Sequence, residues 1–140
     1  MQTVSMSEGC NSSSNALHLV GHAIGLWHEH MRPDRDNYID VLYENINETD
    51  WDKFGKMSQK QFSLVPDVGY DIESVMHYSP FNFSKNGKET LRLKDTAPLD
   101  YKHCSNLLSI GQREQLSYLD KLRVNKLYSC HGEHSYSIVA

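Results

Sequence analysis

Three histidines lie close together in the segment "HLVGHAIGLWHEH", residues 18–30. His18 and His22 are four residues apart, so on a helix they share one face and can present their ring nitrogens to one ion. His28 follows six residues later, and Gly25 between them tolerates the positive φ with which a chain reverses after a helix. Three neutral imidazoles with an open fourth position are typical of a catalytic zinc site rather than a structural one. The alternative is a half-buried helix that contains ordinary histidines.

The residue after His18 decides what such a site could do. Zinc hydrolases with the pattern H-E-x-x-H-x-x-G-x-x-H carry a glutamate there, which takes a proton from water and later delivers it to the leaving amine. This chain has Leu19, which has no ionisable group. General acid–base assistance is worth about 10²–10⁴ in rate, or roughly 3–5 kcal/mol of barrier. The spacing therefore predicts a site that binds zinc and turns over poorly, because Leu19 is not a ligand.

The composition is that of a globular protein of one domain. The chain has 140 residues, of which 39% are hydrophobic and 23% charged, with a formal net charge of −4. Scattered basic residues and this net charge give no reason to expect nucleic-acid binding. No apolar stretch approaches the length of a transmembrane helix, and "MQTVSMSEGC" does not resemble a signal peptide. The sequons Asn11-Ser-Ser, Asn47-Glu-Thr and Asn82-Phe-Ser would suit a secreted protein, although such triplets are common by chance.

Helical periodicity appears at two places. The first helix is predicted from Ala16 to about Leu26, after the capping residues of "NSSSN", with Gly25 as its left-handed end. A second is predicted in "LSYLDKLRVNKLY", with Ser117 as its cap and Asp120 at its third position. Its predicted apolar stripe consists of Leu119, Leu122, Leu127 and Tyr128. Between the helices we expect extended or irregular chain at "NYIDVLYENI", partly helical chain around "NETDWDKFGKM", packed loops, and a strand at "ETLRL".

Three motifs resemble the astacin family of zinc endopeptidases. In that family the zinc helix runs into a third histidine, then Glu-His, then Arg-x-Asp-Arg-Asp. The matching positions here are Glu29, His30, Arg32, Asp34, Arg35 and Asp36. "SVMHY", residues 74–78, looks like the family's Met-turn, and "IGQREQLSYLDKLRVNKLYSC", residues 110–130, resembles its closing helix and last cysteine. The resemblance implies that Met76 is the apolar floor beneath the zinc. It also makes Tyr78 an additional zinc ligand that swings away to hydrogen-bond the oxyanion.

The chain departs from the family pattern in two ways. Leu19 stands where the family has its catalytic glutamate. The chain also begins late, so "TVSMS" would be what is left of the N-terminal sheet along whose edge the family binds substrate as an added strand. By resemblance, Cys10 and Cys130 each pair with a cysteine further upstream, and Cys104 has no family counterpart. A Cys10–Cys130 or Cys104–Cys130 bond, or free thiols, are the alternatives.

Glu29 raises a related question. In the family this residue meets the new N-terminus that forms when the propeptide is removed. Here it faces water or pairs with Arg32 or Arg35. The run from Arg32 to Asp36 is either a solvated turn or a partly buried ion network, and the motif context favours the network.

Together these observations predict an α+β, metzincin-like domain over residues 1–140, with its N-terminal sheet largely missing. Its zinc helix and C-terminal helix would pack around irregular loops. The resemblance implies a secreted, disulfide-containing zinc metalloendopeptidase that acts on extended peptides or proteins. His18, His22 and His28 would hold Zn²⁺, with Tyr78 as additional ligand and oxyanion stabiliser, and Leu19 would impair activity. The alternatives are a non-catalytic zinc-binding relative and a fragment that does not fold stably alone.

Overall fold

A computed structural model describes residues 13–96, 110–112 and 114–130. Its helices are α1 (Ser13–Ala23), α2 (Gln59–Phe62) and α3 (Tyr118–Leu127), and its strands are β1 (Ile39–Val41) and β2 (Leu91–Leu93). Four 3₁₀ segments connect them, at Glu29–Met31, Arg35–Asn37, Tyr43–Asn45 and Glu48–Phe54. Helices, a small sheet and long irregular connections give the α+β architecture that the sequence predicts.

The two strands form the centre of one apolar core. They pair antiparallel, with Ile39 opposite Leu93 and Val41 opposite Leu91. Ile39 and Leu91 are buried while Asp40 and Arg92 are exposed, because successive side chains of a strand point to opposite faces. The buried residues of this core are Ile39, Ile46, Phe54, Tyr70, Ile72, Tyr78 and Leu91. The predicted strand at "ETLRL" is thus present, and this core holds Tyr78 in place.

A second core joins α1 to α3. Leu26, Val75 and Met76 are fully buried within it, and Leu17 of α1 and Val124 of α3 are among the side chains that pack against them. The segment 74–78 therefore lies between the two helices. This arrangement fixes the predicted Met-turn segment against the helix that carries the first two histidines.

The buried face of α3 differs from the predicted apolar stripe. Ser117 caps the helix and forms a reciprocal capping box with Asp120, as predicted. However, the buried side chains of α3 are Asp120 and Arg123, while Tyr128 is 57% exposed. Leu119, Leu122 and Leu127 of the predicted stripe are half-buried, so the stripe covers part of the inner face. The most buried positions went unpredicted because the prediction considered only apolar residues, whereas Asp120 and Arg123 join a charged layer.

Several expectations fall outside the described residues. These are the remnant strand in "TVSMS", the sequon at Asn11, and the pairing of Cys10 and Cys104. Cys130 is described and has an exposed thiol. Among the described residues, no helix is both long enough and apolar enough to cross a membrane.

Gly111 permits a close approach of two backbone segments next to Tyr78. A Cβ at this position would lie 2.5 Å from the Tyr78 carbonyl carbon and 2.6 Å from Ser79 N, and Gly111 has a φ of +71°. We expect Gly111→Ala to lower the free energy of unfolding by about 2–5 kcal/mol, combining left-handed strain with overpacking. Chemical denaturation of the two proteins measures this difference.

Gly87 is the matched control for this prediction. Its φ is +75° and nothing lies within 4 Å of the added Cβ, so Gly87→Ala should cost only the left-handed strain, about 1–2 kcal/mol. Equal losses in the two variants would contradict the proposed backbone contact.

Candidate metal centre

Helix α1 carries the first two histidines on one face. His18 and His22 are separated by one turn, and their rings lie with centroids 4.7 Å apart. His18 is half-buried and His22 is exposed, so one edge of the pair opens to solvent. This is the arrangement that the H-x-x-x-H spacing predicts.

A left-handed glycine brings the third histidine back to the pair. Gly25 has a φ of +93°, and backbone N–H groups of Gly25 and Leu26 donate to His22 O and Gly21 O to close the helix end. The Nε2 atom of His28 then lies 3.1 Å from that of His22 and 3.2 Å from that of His18. The structure therefore brings together all three histidines that the sequence singled out.

The opposite ring nitrogens establish which atoms face the common point. Nδ1 of His18 donates to Val75 O at 2.9 Å, and Nδ1 of His22 donates to Leu26 O at 3.1 Å. A carbonyl oxygen only accepts, so these Nδ1 atoms carry the protons and the Nε2 atoms present lone pairs. Such carbonyl partners are the usual outer contacts of metal-binding histidines.

The distances between the Nε2 atoms suit a zinc ion. Two lone pairs that face each other at hydrogen-bond distance repel, and a single His28 proton could satisfy only one of them. Tetrahedral ligands about 2.0–2.1 Å from zinc lie roughly 3.3–3.4 Å from one another, close to the spacings of 3.1 and 3.2 Å here. Within the described ranges, these three residues form the one His/Cys/Asp/Glu group compact enough to hold an ion.

Tyr78 lies beside the third histidine. Its ring centroid is 5.0 Å from that of His28, and it stacks on His30 at 3.8 Å. His77 holds the adjacent backbone, because its Nδ1 donates to Tyr78 O while its Nε2 meets the Tyr70 hydroxyl at 2.7 Å. Tyr78 is thus fixed next to the histidine cluster, and its role as a ligand stays a prediction.

Met76 packs under α1 at a position that only a glycine leaves open. A Cβ on Gly21 would lie 2.5 Å from the Met76 sulfur, and Met76 is fully buried. Gly21 lies between His18 and His22, so this contact supports both ligand-bearing turns from below. The sequence reasoning missed Gly21; its signal was a glycine inside a helix, which usually has a packing reason.

Helix α3 anchors the segment that carries these contacts. The carboxylate of Asp120 accepts from Ser74 Oγ at 2.7 Å and from Val75 N at 3.0 Å. Val75 in turn supplies the carbonyl that orients His18. One capping carboxylate therefore connects the start of α3 to the ring orientation of the first histidine.

A buried charged layer lies directly behind His28. Glu29 is 2% exposed and contacts Arg32 at 3.4 Å and Arg123 at 3.1 Å. Burial raises the pKa of Glu29 to about 7, against the lowering effects of Arg123 and Arg32. Of the alternatives left open by the sequence, Glu29 pairs with Arg32 rather than facing water or pairing with Arg35. Arg123 was not foreseen, because nothing in the local sequence pairs it with a residue so far away.

The run from Arg32 to Asp36 forms the expected ion network. Arg32 and Arg35 are both buried. Arg32 binds Asp34 and Asp67 as well as Glu29, while Arg35 donates to Asp36 and to the carbonyls of His30 and Phe54. The network therefore holds the 3₁₀ segments that follow His28.

Leu19 is half-buried on α1, directly after His18. Its side chain has no group that could accept or deliver a proton. The site thus combines a set of nitrogen donors suited to zinc with an apolar residue at the position next to the first histidine.

The fold and the arrangement of the three histidines resemble those of zinc metalloproteases, and comparisons with known proteins give the family. Residues 1–129 match the peptidase family described as Astacin. The chain belongs to the astacin family, and membership implies a Zn²⁺ cofactor.

Individual relatives are similar over nearly the whole chain. Zinc metalloproteinase nas-8 of Steinernema carpocapsae is 37% identical over 98% of this chain, and zinc metalloproteinase nas-4 of Caenorhabditis elegans is 39% identical over 94%. The chain spans only 31% and 38% of their respective lengths.

A solved structure shares the fold. High choriolytic enzyme 1, a hatching-enzyme zinc protease of the medaka fish Oryzias latipes, superimposes with a TM-score of 0.71 at 32% sequence identity. The match covers 86% of this chain and 55% of that one. The predicted α+β metzincin-like fold is confirmed by this similarity.

Asp71 contributes a pH dependence to this region. The pKa of Asp71 is raised to about 6 from its ordinary 3.8. Burial is the main cause, the negative charge of Asp120 adds to it, and the hydrogen bond from the Ser117 hydroxyl lowers the pKa in opposition. The native state therefore binds this proton more tightly than the unfolded chain. The stabilisation is full below pH 3.8 and is lost as the pH rises through about 6.

We expect Asp71→Asn to remove this dependence. Relative to the parent, the variant should gain stability as the pH rises from about 4 to 7, by at most about 3 kcal/mol for a shift of roughly two pKa units. Denaturant titrations across this range measure the difference between the two proteins. A difference that stays constant with pH would contradict the raised pKa.

Proposed function

We propose that this chain contains the zinc site of an astacin-type endopeptidase, with His18, His22 and His28 as its ligands. The observation that supports it best is the convergence of the Nε2 atoms, with spacings of 3.1 and 3.2 Å. Family membership supports Zn²⁺ as the ion. Tyr78, 5.0 Å from His28 between ring centroids, is proposed as an additional ligand and oxyanion donor.

The proposed reaction is hydrolysis of a peptide bond in an extended peptide or protein. Zinc, when bound, supplies a Lewis acid that polarises the carbonyl and acidifies water. The phenol of Tyr78 would donate a hydrogen bond to the oxygen on which negative charge develops. The carbonyls of Val75 and Leu26 keep His18 and His22 in the tautomer that presents Nε2.

Leu19 limits the proposed activity. No side chain at this position takes a proton from the attacking water or returns one to the leaving amine, so the assistance worth about 10²–10⁴ in rate is lost. We propose that the chain is an impaired endopeptidase that keeps the three histidine ligands and the Tyr78 hydrogen-bond donor.

A non-catalytic zinc-binding protein is the second candidate, and Leu19 is the observation that favours it. In this case zinc would have a structural role or would help to bind a peptide that is not cut. A fragment that does not fold stably alone is the third candidate, favoured by the exposed side chains of Val20 and Trp27 next to the histidines, at 47% and 45% exposure.

Family membership also bears on where the protein is located and what it acts on. We propose a secreted protein with disulfide bonds and a protein substrate. No nucleic-acid partner or membrane span is proposed.

Restoring a carboxylate at position 19 separates the first two candidates. We expect zinc-loaded Leu19→Glu to cleave an unstructured protein faster than the parent by about 10²–10⁴-fold, the usual contribution of a general base. Endopeptidase assays on both proteins at equal zinc occupancy measure the ratio.

Val20→Glu is the matched control, because it adds the same charge one residue along the exposed side of α1. It should leave the rate at the level of the parent. If Leu19→Glu is no faster than Val20→Glu, the cleft is not competent and the non-catalytic candidate stands.

Zinc binding tests the ligand set independently of activity. We expect the parent to bind one Zn²⁺ and to unfold cooperatively at a temperature that rises with zinc concentration. His28→Ala should weaken binding by more than about a hundredfold, beyond the cost of losing an outer-shell partner. Chelator competition and thermal unfolding measure the two effects.

Val20→Ala on the exposed face of α1 is the control and should bind zinc like the parent. Equal affinity of His28→Ala and the parent would contradict the ligand assignment. Absence of any cooperative transition would instead favour the fragment.

A further inference from the structure

The residue after the third histidine is held on both its backbone and its side chain. Glu29 N donates to Met76 O at 3.1 Å, and Glu29 Oε1 accepts from Asp71 N at 2.9 Å. Glu29 is 2% exposed. The backbone and the carboxylate of Glu29 are therefore both tied to the segment 71–76, which fixes the chain directly after His28.

Arg123 reaches this carboxylate from helix α3, 94 residues further along the chain. Its Nη1 lies 3.1 Å from Glu29 Oε2, and its Nη2 donates to Oε1 at 3.2 Å. Nη2 also donates to Gly69 O at 3.2 Å. Arg123 is 3% exposed, so the pair forms a two-pronged contact away from water, the strongest geometry for this kind of ion pair.

Arg32 does not duplicate this contact. It approaches Glu29 through one nitrogen at 3.4 Å, and the same nitrogen donates to Gly69 O at 2.6 Å. Its other nitrogens are engaged by Asp34 and Asp67. Arg32 is therefore shared among three carboxylates. Arg123 has one other carboxylate nearby, that of Asp120 at 3.9 Å, and directs its charge at both oxygens of Glu29.

We infer that Arg123 is a positioning residue for the metal centre: by fixing the Glu29 carboxylate, it holds His28 at the convergence point of the three histidines. A buried carboxylate that loses its main cation is strongly disfavoured as the anion. It would take up a proton or turn toward water, and in either case it loses the two-pronged contact that fixes the chain directly after His28. The inference rests on the proposed function, because it takes His28 as a zinc ligand. It assigns to α3 a role in metal geometry that lies beyond packing.

The test compares Arg123→Met, which keeps an unbranched apolar stem and removes the charge, with the parent chain. We expect zinc affinity, measured by chelator competition, to fall by about 10–100-fold, as for the loss of an outer-shell partner of a metal ligand. The visible absorption spectrum of the Co²⁺-substituted protein should change as well, because the third nitrogen is displaced. Arg123→Lys keeps the positive charge but replaces the two-pronged guanidinium with a single ammonium group. This variant should bind zinc with intermediate affinity.

Two controls separate positioning from general stability. Arg92→Met removes an arginine from an exposed pair with Glu89, with side chains 60% and 41% exposed, and should leave affinity and spectrum unchanged. Gly87→Ala destabilises the fold only through left-handed strain, because Gly87 has a φ of +75° and nothing lies within 4 Å of the added Cβ. It should lower the unfolding midpoint without changing the Co²⁺ spectrum of the folded protein.

The outcomes decide between the possible roles. If Arg123→Met and Arg123→Lys bind zinc like the parent with unchanged spectra, or if Gly87→Ala weakens zinc binding as much as Arg123→Met does, the positioning role is overturned. If Arg123→Met does not fold, Arg123→Lys carries the comparison, and parent-like affinity and spectrum in that variant overturn the inference. A parent chain that binds no zinc overturns the proposed function and this inference together.

Discussion

The convergence of three imidazole rings on one point is the constraint on which the surrounding structure depends. The Nε2 atom of His28 lies 3.1 Å from that of His22 and 3.2 Å from that of His18, and the Nε2 lone pairs of His18 and His22 both face it. The surrounding contacts therefore have to hold the rings against one another. Backbone carbonyls orient the rings of His18 and His22. The positive φ of Gly25 brings His28 back toward them, and buried side chains support the backbone that carries the three histidines.

The bracing comes from parts of the chain that are far apart in sequence. Met76 fills the space beside Gly21, and Asp120 fixes the backbone at Val75, which orients His18. Arg123 meets the carboxylate that follows His28. Helix α3 thus turns two charged side chains inward, toward the metal centre, where an ordinary amphipathic helix would place apolar ones. A buried ion pair is weak evidence for stability, and its value here would lie in geometry.

Leu19 separates two properties that the family pattern normally combines. In the proposed function, holding the ion depends on the histidines and on the bracing contacts described above, which other residues make. Moving protons depends on the side chain at position 19, which is a hydrocarbon. The chain can therefore retain the geometry of the histidine ligands while lacking a group that transfers protons. Comparing Leu19→Glu with Val20→Glu measures proton transfer while the histidine ligands stay the same.

The histidine spacing, the reversal at Gly25, the capping box of Ser117 and Asp120, and the family could all be predicted from the sequence. The first three are local, because a helix face, a positive φ and a cap depend on residues within a few positions. The buried face of α3, the contact between Gly21 and Met76, and the pairing of Glu29 with Arg123 could not be predicted in this way. They depend on which segments meet across the core, and the same helical spacing that predicted a leucine stripe also fits Asp120 and Arg123. Tertiary packing decides between these two faces, because the buried carboxylate of Glu29 requires a cation and Arg123 of α3 provides it.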